Sequence, residues 1–496
     1  MWLVIILFFV ILVLLYIDTL KPKNFPPGPK WLPLLGNILL IHRLRKQNGF
    51  LYKVIAKMAQ KDGIVGLKIG KDKIVIGYSP EAVKAIHKSE DLQGRPHGPF
   101  YQTRTWGLRR GLLLTDGEFW SEQRRFALRQ LHEFGYGSRN MSSLVEDECA
   151  QLMKDVKEKL AESNKNQAVL QMDTFFGVYV LNTLWTMMAS IRYNADDKEL
   201  GLLQNLLNDL FENIDMVGSL FSQFPILQYV APESSGYNFF IEIHKNIWKF
   251  IRNEIENHKN TYKDGHIRDF IDAYLEVLQS EDKRSSFSEL QLVAVCMDFF
   301  IAGSETTSKT LGFGFLYLLL NPDVQRKAQE EIDRVVGPDR MPQLSDRDQM
   351  PYMNAFVLES VRMFMFRAFG VPHRALRDTK LLGYDIPKDT MVLANFYGVL
   401  RDWEDPDAFR PERFIENGKV VTPDLFIPFG FGKHRCVGES LAKANIFLFS
   451  ASLLQKFNFS VVPGTKPPST SGVDSCTPST GPFKALVTYR NQNLAA

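Results

Sequence analysis

The chain has 496 residues, 45% of them apolar and 23% charged, the composition of an ordinary folded protein rather than a disordered one. Fifty-nine Lys and Arg against 56 Asp and Glu leave a formal charge of +3, which excludes a bulk nucleic-acid footprint or an acidic tail. Four cysteines, Cys149, Cys296, Cys436 and Cys476, are too few for a disulfide framework and have no zinc-type spacing.

In chain order, Trp2 to Ile17 is an uninterrupted apolar run followed by Asp18, Lys21 and Lys23. Sixteen helical residues cover about 24 Å, close to the hydrocarbon thickness of a thin bilayer. Nothing basic precedes the run and no small-residue cleavage site follows it, so the expectation is an uncleaved anchor (1–20) rather than a signal peptide. The lysines after it place the remainder in the cytosol, and make the N-x-[ST] triplets at Asn140 and Asn458 chance matches. Phe25-Pro26-Pro27-Gly28-Pro29 predicts a stiff, non-helical hinge (21–36).

The rest (37–496) has no repeat or second linker and reads as one mainly α domain with small β-sheets. Ile64–Ile69 and Lys73–Tyr78 predict a hairpin, and Pro80 opens a helix. Helical periodicity predicts segments near 118–133, 139–162, 172–189, 199–213, 237–260, 268–280, 288–320, 322–336, 351–365 and 440–455. Val217 to Pro232, apolar and interrupted by Pro225, predicts a greasy loop, either core or a second membrane contact near a substrate entrance.

The segment Pro428 to Glu439, PFGFGKHRCVGE, places Cys436 where a glycine-rich loop meets a helix start. Gly430, Gly432 and Gly438 allow close approach and positive φ, backbone amides favour a thiolate, and Phe429 and Phe431 shield it. These are the needs of an axial sulfur ligand to haem iron. The run F-G-F-G-K-H-R-C-V-G resembles the haem-binding signature F-x-x-G-x-R-x-C-x-G of the cytochromes P450, with His434 where the family usually carries arginine.

The resemblance extends along the chain. Glu359-Ser360-Val361-Arg362 matches E-x-x-R, and lies 54 residues before Arg413 and 77 before Cys436. The same spacing at Glu122/Arg125, Glu281/Arg284 and Glu331/Arg334 lacks that context. By resemblance Glu359, Arg362 and Arg413 form a structural ion network behind the cysteine loop. Ala302-Gly303-Ser304-Glu305-Thr306-Thr307 resembles the oxygen-activation motif. It implies Ala302 over the haem face and Glu305 and Thr306 delivering protons, against the ordinary reading of a threonine bonded to its i−4 carbonyl. Trp120 with Arg124, Arg95 and His373 match haem-propionate contacts, joined by His434. Arg125, Arg129, Lys433 and Arg435 predict a basic face for an acidic flavoprotein.

The resemblance thus implies a cytochrome P450 fold, one haem-centred domain behind its anchor in the endoplasmic reticulum membrane, with a haem b group on Cys436. It implies a monooxygenase that uses O2 and NADPH-derived electrons from NADPH-cytochrome P450 reductase, with cytochrome b5 a second candidate donor, on a lipophilic substrate. The pocket is expected from the 100–117 loop, the 299–307 stretch and Phe369-Gly370-Val371. The anchor-proximal run Leu15 to Trp31 and Gly432 to Cys436 resemble insect microsomal members that epoxidise methyl farnesoate to juvenile hormone. Hydroxylation of another terpenoid, a steroid or a xenobiotic is the alternative, and a non-catalytic haem-binding sensor, electron carrier or scaffold is the rival class.

Overall fold

The structure, a computed structural model, describes residues 1–490 except 60, 138, 164–165, 215–218, 264, 282–283, 425 and 431. Phe431, one of the two predicted shielding rings, and Val217 and Gly218 of the apolar loop lie outside the described residues.

The apolar run is a helix, Trp2–Thr19, with no buried residue, long and apolar enough to cross a bilayer. It ends against the body: Leu34 N–H donates to Asp18 Oδ2 at 2.7 Å, and Lys68 Nζ, on a buried side chain, pairs with the same carboxylate. The proline segment is packed down too. Phe25 and Trp31 are buried edge to face at 5.7 Å, and Gly66 N–H donates to Pro27 O at 2.7 Å. A Cβ on Gly28 would lie 2.2 Å from Gly66 O, so the hinge touches the sheet where only glycine fits.

That sheet has four strands in the order Ile64–Ile69, Asp72–Gly77, Met391–Ala394, His373–Arg374. The hairpin is antiparallel with Ile64 opposite Gly77, and Ile74 pairs in parallel with Met391. The β-branched hairpin is buried on both faces because helix Leu51–Ala59 packs on one and the next helix, Pro80–Lys88, on the other; Pro80 takes the first helical turn and Ser79 Oγ caps Ala82 N–H at 3.1 Å. A second sheet joins Phe457–Ser460, Lys484–Tyr489 and Gln167–Gln171.

The core is built around the 32-residue helix Glu289–Leu320, which packs against Gly177–Ala189, Tyr237–Thr261, Pro351–Met365 and Glu439–Lys456. Ser288 Oγ caps it at Gln291 N–H, 3.2 Å. The expectation of a helix over 172–189 is corrected at its start: residues 172–176 form turns and the helix begins at Gly177, because strand Gln167–Gln171 precedes it and Met172 N–H still donates across to Phe483 O at 2.9 Å. The apolar loop holds two single turns, Leu220–Gln223 and Leu227–Val230. Phe221 is buried, while Ile226, Tyr229 and Val230 are exposed.

Candidate active site

A cavity of about 480 Å3 opens between the long helix and the loop leading into Glu439–Lys456. Cys436 lines it from the loop side, with Phe429 and Gly430; Ala302, Gly303 and Thr306 line it from the long helix. The three stretches expected to form a pocket all contribute, through Leu112 to Leu114, Phe299 with Ile301 to Gly303, and Phe369 to Val371.

The loop is held by its own backbone. Cys436 N–H donates to Phe429 O at 2.8 Å, and Gly430 and Gly432 sit at φ +65° and +75°. Gly438 does not share that conformation: its φ is −83°, and it caps the following helix. A Cβ there would lie 3.9 Å from Cys436 Sγ, an ordinary contact distance, so the expected need for glycine at this position is corrected. Burial pushes the Cys436 thiol up, against backbone hydrogen bonds from Gly438 and Glu439 and the Arg124 charge, all of which favour the thiolate. Cys149 and Cys296 are buried in the core, where desolvation pushes the Cys149 thiol up to about 12. Cys476 stands on the cavity wall, a position its sequence context did not signal.

One edge of the cavity carries the polar residues picked out by pattern: Arg95, Trp120, Arg124, His373 and His434. Arg95 is fully desolvated, which drags its guanidinium down to about 9; Nη1 donates to Val371 O and Pro372 O, and buried Nε has no partner. A buried cation with an orphaned donor fits an anionic group on this edge. Arg124 Nη2 donates to Arg435 O at 2.6 Å, and its Cζ lies 5.4 Å from the Trp120 ring. His373 Nδ1 donates to Leu92 O at 2.8 Å.

His434 packs on Trp120 with ring centroids 4.1 Å apart, and its Nε2 donates to Gln93 O at 2.9 Å. Burial and the Arg95 charge hold its pKa down to about 3, so the ring is neutral and its single N–H is already used. The ring therefore serves as a stacked wall, not as the charged donor an arginine would be.

Above the cavity, Thr306 Oγ1 donates to Ala302 O at 3.0 Å, the i−4 bond of an ordinary helical threonine, while the residue lines the cavity. Glu305 turns the other way. It is buried outside the lining and pairs with equally buried Lys309 at 2.8 Å; Lys309 also donates to Thr477 Oγ1 at 3.0 Å. The two residues expected to act together thus diverge, because successive helical side chains lie about 100° apart and Lys309 at i+4 captures the carboxylate.

Behind the loop, Glu359 and Arg362 are both 0% exposed and Arg413 is 5% exposed. Glu359 accepts from Arg362 Nε at 2.7 Å, Arg413 Nε at 3.1 Å and Arg410 N at 2.7 Å, and Arg362 Nη1 donates to Pro406 O. The rival spacings do other work. Glu331 accepts Tyr352 and Met353 N–H at the start of Pro351–Met365, with Arg334 left exposed, and Glu122 pairs with Arg284. On the predicted basic face Arg125 and Arg129 are exposed, but Lys433 pairs with Glu90 and Arg435 with Glu439, which reduces the free charge.

A cysteine facing a helix that lines the cavity with Ala302 and Gly303, with an orphaned buried guanidinium on one edge, fits a large flat anionic cofactor. Comparison with known proteins agrees. The family described as "Cytochrome P450" matches residues 26–484. "Probable cytochrome P450 303a1" of Drosophila melanogaster is 45% identical over 97% of this chain and 98% of its own length. "Farnesoate epoxidase" of Bombyx mori is 36% identical over 93% of each chain. Human "Cytochrome P450 2J2" is 33% identical over 88% of this chain and 86% of its own. The match runs from the proline hinge to the last strand and takes in every residue of the cavity edge, so the chain belongs to the cytochrome P450 family of haem-thiolate monooxygenases.

Proposed function

We propose that this protein inserts one oxygen atom of O2 into a lipophilic terpenoid, with methyl farnesoate epoxidation to a juvenile hormone as the leading reaction. The observation behind the chemistry is the cavity wall itself, where Cys436 stands opposite Ala302, Gly303 and Thr306 with apolar side chains around them. The substrate reading is supported by likeness to the silkworm farnesoate epoxidase and by that lining.

Cys436 would hold the haem iron, Arg95, Trp120, Arg124, His373 and His434 would line the propionate edge, and Phe429 and Ala302 would pack against the ring. When bound, the haem supplies the redox chemistry, taking electrons from NADPH through a flavoprotein reductase, with cytochrome b5 a second donor. Thr306 holds and passes a proton at Oγ1, released from Ala302 O. Glu305 acts as a positioning residue through Lys309, keeping the helix register that presents Thr306. Glu359, Arg362 and Arg413 fix the cysteine loop. Residues 1–20 anchor the protein in the endoplasmic reticulum membrane, 21–36 dock as the hinge, and 37–496 form the catalytic domain.

The test is oxygen-dependent product formation from methyl farnesoate with reductase and NADPH, alongside the reduced carbon monoxide spectrum. Cys436→Ser is expected to abolish the thiolate signature, and Thr306→Ala to lower product per NADPH consumed. A retained signature in the first variant, or unchanged coupling in the second, overturns the corresponding role. No epoxide from methyl farnesoate overturns the substrate.

A further inference from the structure

The cavity wall carries one polar cluster that lies away from the cysteine and the propionate edge. Arg104, just after the helix Pro99–Thr103, and Asp298, in the apolar first half of the long helix, are each 5% exposed at the side chain and form an ion pair through Arg104 Nη2. Both line the cavity, as does His244. Asp298 is fully used: its Oδ2 accepts Leu112 N–H at 2.6 Å and Leu113 N–H at 2.9 Å. Gly111 lets the loop close over it at φ +87°, where a Cβ would come 2.1 Å from Oδ2. Arg104 is not fully used. Its buried Nη1 has no hydrogen-bond partner in the protein. His244 offers no competing donor, because its Nδ1–H is given to Phe240 O at 2.7 Å.

We infer that Arg104 Nη1 is a substrate anchor that takes a neutral oxygen acceptor, such as an ester or ketone carbonyl, at one end of an otherwise apolar substrate. This rests on the proposed lipophile oxidation and adds to it the chemistry of the substrate's polar end. A buried cationic N–H without a partner is costly, so a ligand oxygen that satisfies it gains more than one reaching a solvated donor. The acceptor is neutral because Asp298 already balances the guanidinium: a second carboxylate would bring an unpaired negative charge into an apolar cavity. Phe100, Phe240, Phe299 and Ile301 give the wall much of its apolar surface, while Thr306, Thr307, Thr310 and Thr477 on it are polar but uncharged.

Equilibrium binding to the haem-loaded enzyme tests this with three ligands of one skeleton: methyl farnesoate, farnesoic acid and the corresponding farnesene hydrocarbon. The ester is expected to bind at least about tenfold tighter than the hydrocarbon, as for a hydrogen bond to a charged donor, and no weaker than the acid. In the charge-balanced double variant Arg104→Met, Asp298→Asn, ester and hydrocarbon are expected to bind within threefold of each other. Equal affinities in the unaltered enzyme, a preference that survives in the double variant, or tenfold tighter binding of the acid overturns the anchor. Should the variant not load haem, the ligand comparison on the unaltered enzyme decides alone. Product is scored separately: an ester preference without epoxide overturns the proposed reaction and leaves the anchor standing.

Discussion

Glu359→Gln tests whether the ion network holds the cysteine loop. The buried carboxylate accepts from three residues on two pieces of chain, the Arg362 guanidinium on its own helix and, on the 404–413 segment, the Arg413 guanidinium and the Arg410 backbone N–H. Glutamine keeps the shape but removes the charge and turns an NH2 group toward guanidinium donors. Leaving buried cations without their partner costs about 3–5 kcal/mol. With roughly 2.1 cal/mol/K of unfolding entropy per residue over a chain of this length, 1 kcal/mol corresponds to about 1 °C. The melting temperature of the haem-loaded enzyme should therefore fall by about 3–5 °C, with a parallel loss of haem content after gel filtration. The exposed pair Arg326–Glu330 is the control, and Glu330→Gln should leave the melting temperature unchanged. A Glu359→Gln enzyme that melts within 1 °C of the parent and keeps its haem refutes the reasoning.

Gly303→Ala would place a methyl 2.3 Å from Leu184 Cδ2. A loss of about 1–3 kcal/mol in thermal unfolding is expected; no loss would show that the helix contact is slack. Burial and the Arg104 charge hold His244 down to about 3. Below about pH 6.5 the unfolded chain takes up a proton that the native state refuses, so stability falls as pH drops from 6.5 toward 3, by about 1.4 kcal/mol per unit for this one group. His244→Phe should show a shallower loss between pH 6.5 and 5 in urea unfolding, and identical slopes would contradict it. Deleting residues 2–20 should release the enzyme from sedimenting membranes, and retention would point to other contacts, Ile226, Tyr229 and Val230 first among them.

Most of the helices and the hairpin were legible because each carries its own period or cap, as Ser79-Pro80 shows. Gln167–Gln171 was not, since it is a strand only through a partner more than 300 residues away. The same divide runs through the site. Cys436 and the Glu359 network stand out from local context and order along the chain. The turn of Glu305 toward Lys309 depends on which of two neighbours captures a carboxylate, and the spacing of Glu305 and Thr306 alone cannot report it. Arg104 and Asp298 were missed although a signal existed: Asp298 is an acid inside the apolar run VAVCMDFFIA, and such a residue needs a cation from elsewhere.

The clamp at the foot of the first helix gives that helix a mechanical part beyond its greasiness. Asp18 is gripped by Lys68 of the first strand and by the Leu34 amide, and the chain between them is pinned at Gly28. An apolar span joined in this way is a spindle without a bearing: the body does not swivel freely about it, so the tilt of one sets the pose of the other. Exchanging residues 1–17 for any other span should preserve that pose. Losing Asp18 should not, because it would free the joint and strand the Lys68 ammonium in the protein interior.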